Sequence, residues 1–123
     1  GVMGRSSHGS TFGANPVVCA GALEVVRRVS QPEFLAAVKE KGEYLRSRLE
    51  QMDGVAEVRG MGMMLGIVPA RSTAAVLSAA CVENGLLILT AKSLLRLLPP
   101  LTITREEMDK GLAILEKVLR AAH

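Results

Sequence analysis

The chain has 123 residues, 49% hydrophobic and 22% charged, with 15 Lys and Arg against 12 Asp and Glu. That is the make-up of one ordinary globular domain, and it excludes a disordered chain, a collagen-like repeat and a disulfide-stapled miniprotein. Phe12, Phe34 and Tyr44 are the only aromatics, the basic residues are scattered, and no run of ~20 apolar residues occurs, so neither nucleic acid nor a membrane is an expected partner.

Residues 1–14 are rich in Gly and Ser, show no apolar period and read as loop. Asn15-Pro16 is a helix start, an N-cap followed by Pro at the first helical position. The helix runs to about Val29 and is apolar nearly all round, which predicts burial between layers or against a partner. Ser30, with Glu33 three residues on, reads as a capping box for a second helix. Phe34, Leu35, Val38, Leu45, Leu49 and Met52 line one face of that helix, which ends before Asp53-Gly54.

Two short strands are expected over 55–59 and 63–68, around a turn at Gly60-Met61-Gly62, with Pro69 stopping the second. Ser72 or Thr73 opens a third helix closed by Gly85. Strands over 86–89 and 94–98 follow, the latter stopped by Pro99-Pro100. Thr104 and Glu107 form a second capping box, and Met108, Leu112, Leu115 and Leu119 mark the buried face of the last helix. The order predicts an α+β fold, a small, mostly antiparallel sheet covered by helices on one side.

Cys19 and Cys81 each sit in an apolar helical stretch and read as buried, reduced thiols of a cytoplasmic protein. The chain opens on Gly1, with no basic-then-apolar leader, which fits a processed chain or a piece of something longer. His8 and His123 are the only histidines, so no metal site is expected.

Three features bear on chemistry. Gly60-x-Gly62-x-x-x-Gly66 lies in a strand pair rather than at a helix start, so it is a turn pattern and not a dinucleotide fingerprint. His8-Gly9-Ser10-Thr11-Phe12-Gly13-Ala14-Asn15-Pro16 puts hydroxyls and flexible backbone amides ahead of a helix, a setting that suits an oxyanion such as phosphate or is simply a polar loop. Arg96 sits between two leucines on each side, where a charge is costly unless paired. It either forks onto a carboxylate or points to water from an edge strand. No Ser/His/Asp or Cys/His set assembles, and no lysine has a desolvated setting suited to Schiff-base work, so no catalytic residue is assigned.

The segment 8–16 resembles HGSTFGGNP of class III pyridoxal-phosphate aminotransferases. In the same order, Glu57-Val58-Arg59-Gly60-Met61-Gly62-Met63-Met64 is similar to that family's "VRG-x-G-x-M" strand pair. Glu83-Asn84-Gly85-Leu86-Leu87 is similar to its "xxGLL" turn. Arg96-Leu97-Leu98-Pro99-Pro100-Leu101-Thr102-Ile103-Thr104 resembles the "RLLPPLTIT" stretch typical of the acetylornithine branch. The resemblance covers the chain from His8 onward and implies the C-terminal part of such an enzyme. Residues 1–29 would then be the loop and connecting helix from the large-domain side, and 30–123 the small α+β domain.

The resemblance further implies pyridoxal 5'-phosphate as cofactor and a homodimer whose missing large domain lies upstream. The reaction would transfer the amino group of N-acetylornithine to 2-oxoglutarate, a step of arginine biosynthesis, in the cytoplasm. It assigns Thr11, with Ser10 beside it, to the cofactor phosphate of the neighbouring subunit, and Arg96 to a substrate carboxylate. The Schiff-base lysine, the acidic partner of the pyridine nitrogen and the ring-stacking aromatic of the family all precede the HGST segment, so this chain alone is expected to be inactive. Two departures stand out: Ala14 replaces a glycine, and Ala91-Lys92-Ser93 replaces a glycine-bearing turn. The alternative is a non-catalytic, stand-alone α+β module for protein interaction or for a phosphorylated metabolite.

Overall fold

The computed structural model of the protein describes residues 9–122. His8 and His123 lie outside them. The chain divides between Leu35 and Ala36 into two compact units.

The first unit holds the turn over 11–14 and helix α1 (Pro16–Val29). Asn15 caps α1 as its sequence predicts, its side chain accepting from the Val18 amide at 3.0 Å. None of α1's side chains is buried. Cys19 is likewise exposed, against the expectation of a buried thiol. Ser30 does not open the second helix: its hydroxyl donates to the Arg27 carbonyl at 3.3 Å and its amide to Val26, so it closes α1. Helix α2 (Pro32–Glu50) starts from Gln31, whose carbonyl accepts from Leu35 at 3.0 Å, with Pro32 at the first position.

In the second unit, α2 continues into strands β1 (Val55–Met61) and β2 (Met64–Pro69), helix α3 (Ala74–Glu83), strands β3 (Leu89–Ala91) and β4 (Leu94–Leu97), and helix α4 (Arg105–Ala121). All pairings are antiparallel, in the order β1-β2-β4-β3. The β1–β2 turn is Gly62-Met63, two residues later than the glycine pattern suggests. Gly62 takes φ +56 at the first loop position, as a two-residue hairpin of this kind requires. Gly60 falls inside β1, where any side chain would strike the Met64 carbonyl. The strand expected over 86–89 starts only at Leu89. Leu86 is used instead to close α3, donating its amide to Cys81 at 2.8 Å while Gly85 (φ +88) donates to Val82 at 3.0 Å, a Schellman end.

One face of the sheet carries Val58, Leu65, Ile67 and Leu95 into a core with Leu45 and Leu49 of α2, Leu77 and Cys81 of α3, and Met108, Leu112, Leu115 and Leu119 of α4. The alternate residues point the other way, and there Met61, Met64 and Leu89 are exposed. The α+β expectation therefore holds: helices cover one face of an open antiparallel sheet. Polar contacts tie α2 to α4 above the core. The Tyr44 hydroxyl donates to Asp109, Arg48 donates to that hydroxyl at 2.7 Å, and the Arg105 guanidinium lies 3.5 Å from the Tyr44 ring centre. No helix is long and apolar enough to cross a membrane among the described residues.

Candidate functional site

Two places carry the chemistry singled out in the sequence, one in each unit. In the first unit, Ser10 and Thr11 are both exposed at the start of the turn that leads into α1. The Gly13 amide donates to the Ser10 carbonyl at 3.4 Å, and the Asn15 side chain donates to the Phe12 carbonyl at 2.6 Å, which folds the segment back on itself. Ala14 takes φ +58. The left-handed conformation expected of glycine is thus kept with an alanine, at a cost of roughly 1 kcal/mol. No acidic residue occurs between Gly9 and Leu23, and the first turn of α1 has none. The segment offers hydroxyl and amide donors without a competing negative charge, a donor set that fits a phosphate.

In the second unit, Arg96 lies on β4, which is an inner strand and not an edge. Its neighbour Leu95 is fully buried opposite Ile67, so alternation turns Arg96 onto the open face, where it is exposed. It stands opposite Gly66 on one side and Leu89 on the other. Gly66 has no side chain to obstruct the guanidinium; a Cβ there would come within 3.1 Å of Leu94 Cδ1. Across Gly66 stands Arg59, but Arg59 is engaged by Glu57 at 2.6 Å. That hydrogen bond holds the Glu57 carboxyl below the usual range, so the pair is ionised and self-neutralising. No ion pair among the described residues engages Arg96.

Arg96 also borders an apolar cleft of about 310 Å³ lined by Leu97, Leu98, Ile103, Met108 and Leu112, in which Glu107 is the only other charged residue. Arg96 is therefore an exposed guanidinium with no ion-pair partner among the described residues, able to grip a planar carboxylate with two parallel hydrogen bonds. Gly66 was not singled out as a site residue by its sequence pattern. The signal that could have found it is its place in β2, in the alternation Met64, Gly66, Val68 of the open face. No group of three or more His, Cys, Asp or Glu residues is positioned to hold a metal ion among the described residues.

Fold and motif order together define a class, and the comparison with known families agrees: residues 1–119 match aminotransferase class-III, and the chain belongs to that family. It is similar to the acetylornithine aminotransferase of Haemophilus ducreyi, with 41% identity over 118 residues, 95% of this chain and 30% of that protein. The acetylornithine aminotransferase of Listeria innocua is 42% identical over 122 residues, 95% of this chain and 32% of that protein. Among solved structures, the acetylornithine aminotransferase of Elizabethkingia anophelis superposes with a TM-score of 0.78 at 33% identity, covering 98% of this chain and 34% of the other. The chain spans about a third of the length of the curated relatives it matches.

Proposed function

We propose that this chain is the C-terminal part of a pyridoxal-phosphate-dependent aminotransferase that moves the amino group of N-acetylornithine to 2-oxoglutarate, in the cytoplasm. Residues 1–29 would form the loop and connecting helix from the large-domain side, and 30–123 the small domain. The observation that carries the reading is Arg96, an unpaired guanidinium on an inner strand, turned onto the open face of the sheet opposite Gly66. Its role is to bind and orient a substrate carboxylate.

Ser10 and Thr11 would hold the cofactor phosphate of the neighbouring subunit of a homodimer with hydroxyl and amide donors. When bound, the cofactor supplies the electron sink for the chemistry at the substrate α-carbon. The lysine that carries it belongs, in this reading, to the large domain. That domain, or the second subunit, would cover the exposed Val17, Val18, Leu23, Val25 and Val26 of α1. The match in wording at Arg96 to Thr104 and the family's acetylornithine relatives support this donor over the other amino acids the family handles.

The test is a pair of variants in the full-length enzyme. Arg96→Lys keeps the charge but loses the fork, and should lower kcat/KM on the order of 10²-fold with cofactor affinity unchanged. Thr11→Ala should do the reverse, weakening cofactor retention with a smaller effect on substrate discrimination. Unchanged kcat/KM in Arg96→Lys removes Arg96 from the site.

A further inference from the structure

The β1 strand is an outer strand of the sheet, and outer strands present unpaired backbone groups to any other extended chain. The hairpin fixes which groups those are. With a two-residue loop, Met61 and Met64 form the hydrogen-bonded pair next to the turn, so pairing alternates back along β1. Arg59 and Met61 turn their amides and carbonyls toward β2, while Val58 and Gly60 turn theirs outward.

Those two outward carbonyls are taken. Arg46 Nη1 donates to the Val58 carbonyl at 3.0 Å and Arg46 Nη2 to the Gly60 carbonyl at 2.7 Å. In an extended strand, alternate carbonyls are about 6.8 Å apart, too far for one guanidinium to serve with ease. Gly60, at φ +113, breaks the extended repeat there and lets both converge on the fork. Glu50, one turn further along α2, holds the same guanidinium at 3.3 Å. One turn the other way, Gly42 meets the backbone of Gly62 closely enough to fix the height of α2 over the hairpin. Arg46 thus reaches the β1 edge from a helix that cannot easily move off it.

The sequence of β1, VAEVRGM, is also complementary to itself. In an antiparallel pairing of two β1 strands centred on Val58, the outward groups of Val58 meet those of the other Val58. Glu57 of each copy then faces Arg59 of the other. Between the irregularity at Ala56 and the bend at Gly60, the three residues Glu57–Arg59 are regular, and their charges can exchange partners with those of a second copy of this chain once the two carbonyls are free.

We propose that Arg46 is an edge plug, which by occupying the Val58 and Gly60 carbonyls keeps β1 from adding the β1 strand of a second copy. This is independent of the aminotransferase reading. The test compares the wild-type chain with Arg46→Leu, which keeps an apolar stem and loses the donors, by sedimentation across a concentration series and by amide hydrogen exchange.

Arg46→Leu should self-associate at least 10-fold more tightly than wild type, and the Val58 and Gly60 amides should gain protection as concentration rises. Adding Glu57→Lys, which sets two like charges opposite each other twice, should return association to the wild-type level. Association no tighter than wild type, Val58 and Gly60 amides left unprotected, or association undiminished by Glu57→Lys would each overturn the proposal. Should Arg46→Leu fail to fold by circular dichroism, Arg46→Lys, with one donor group in place of the fork, carries the same test. It should show a smaller rise that Glu57→Lys again suppresses, and no rise in a folded Arg46→Lys overturns the proposal equally.

Discussion

Gly42→Ala is the sharpest probe of how the sheet is held under its helices. Gly42 is buried in α2, and a Cβ built there would lie 2.6 Å from the Gly62 carbonyl oxygen and 2.7 Å from its carbon. Ordinary contact begins at about 3.4 Å, so helix and turn must separate by roughly 0.8 Å. The neighbour is backbone, in a turn where Gly62 already sits at φ +56, and neither side has a flexible end to swing away. Overpacking of this sort costs about 2–3 kcal/mol. Replacing a mid-helix glycine by alanine returns about 1 kcal/mol, leaving a net loss of about 1–2 kcal/mol. For a unit of this size that lowers the melting temperature by roughly 5–10 °C. Gly111→Ala in α4 is the matched control. Its Cβ would lie 3.5 Å from Leu86 Cδ1, an ordinary contact, so the helical gain should appear almost undiminished, about 0.5–1 kcal/mol of stabilisation. Thermal or urea unfolding of the two variants decides it. Gly42→Ala as stable as wild type would show that α2 does not bear on the hairpin as described.

Lys92 takes φ +57 at the first position of the β3–β4 turn, where a side chain is strained. Lys92→Gly should therefore stabilise by roughly 0.5–1 kcal/mol, while Lys92→Ala leaves stability unchanged; unfolding midpoints measure both. The Glu107 carboxyl is held below the usual carboxylate range, chiefly by the Thr104 backbone amide and then by its hydroxyl. A lowered folded-state value adds stability above the unfolded value, near pH 4.3, and that stability is lost as pH falls through the folded one. The melting-temperature gap between wild type and Glu107→Gln should accordingly shrink on acidification below about pH 4; a gap constant to lower pH would contradict it.

What the sequence made legible was mostly local. Asn15-Pro16, Thr104 with Glu107, and Gly85 each end a helix through contacts within a few residues, and each is found where its pattern puts it. Ser30 misled because its hydroxyl can serve either the helix behind or the one ahead, and the i−3 carbonyl of Arg27 won. The β1–β2 turn slipped by two residues because two glycines, Gly60 and Gly62, compete for it. Only the close approach of Gly60 to the Met64 carbonyl, a contact across strands, assigns Gly60 to the strand and Gly62 to the turn. α1 shows the opposite limit: its side chains are almost all exposed, and an apolar surface states that something covers it and not what. Of the candidate site, Arg96 stood out by residue type and neighbours and Thr11 only through the family resemblance of the 8–16 segment, whereas Gly66 acquires meaning only from the register that sets it opposite Arg96.

The two candidate sites also differ in what supports them physically, and this makes them separable by experiment. Arg96 is carried by an inner strand whose neighbour Leu95 is fully buried against the core, so its position is as stable as the second unit itself. Thr11 is carried by a short exposed turn of the first unit, whose shape rests on two side-chain bonds of Asn15 and on an alanine held at φ +58. Destabilising the core, as in Gly42→Ala, should therefore degrade carboxylate recognition before it affects the turn. Asn15→Ala or Ala14→Val should disturb phosphate retention while the second unit melts as in wild type. If a turn variant lowered carboxylate discrimination and cofactor retention together, with the second unit intact, the assignment of one role to each unit would be wrong.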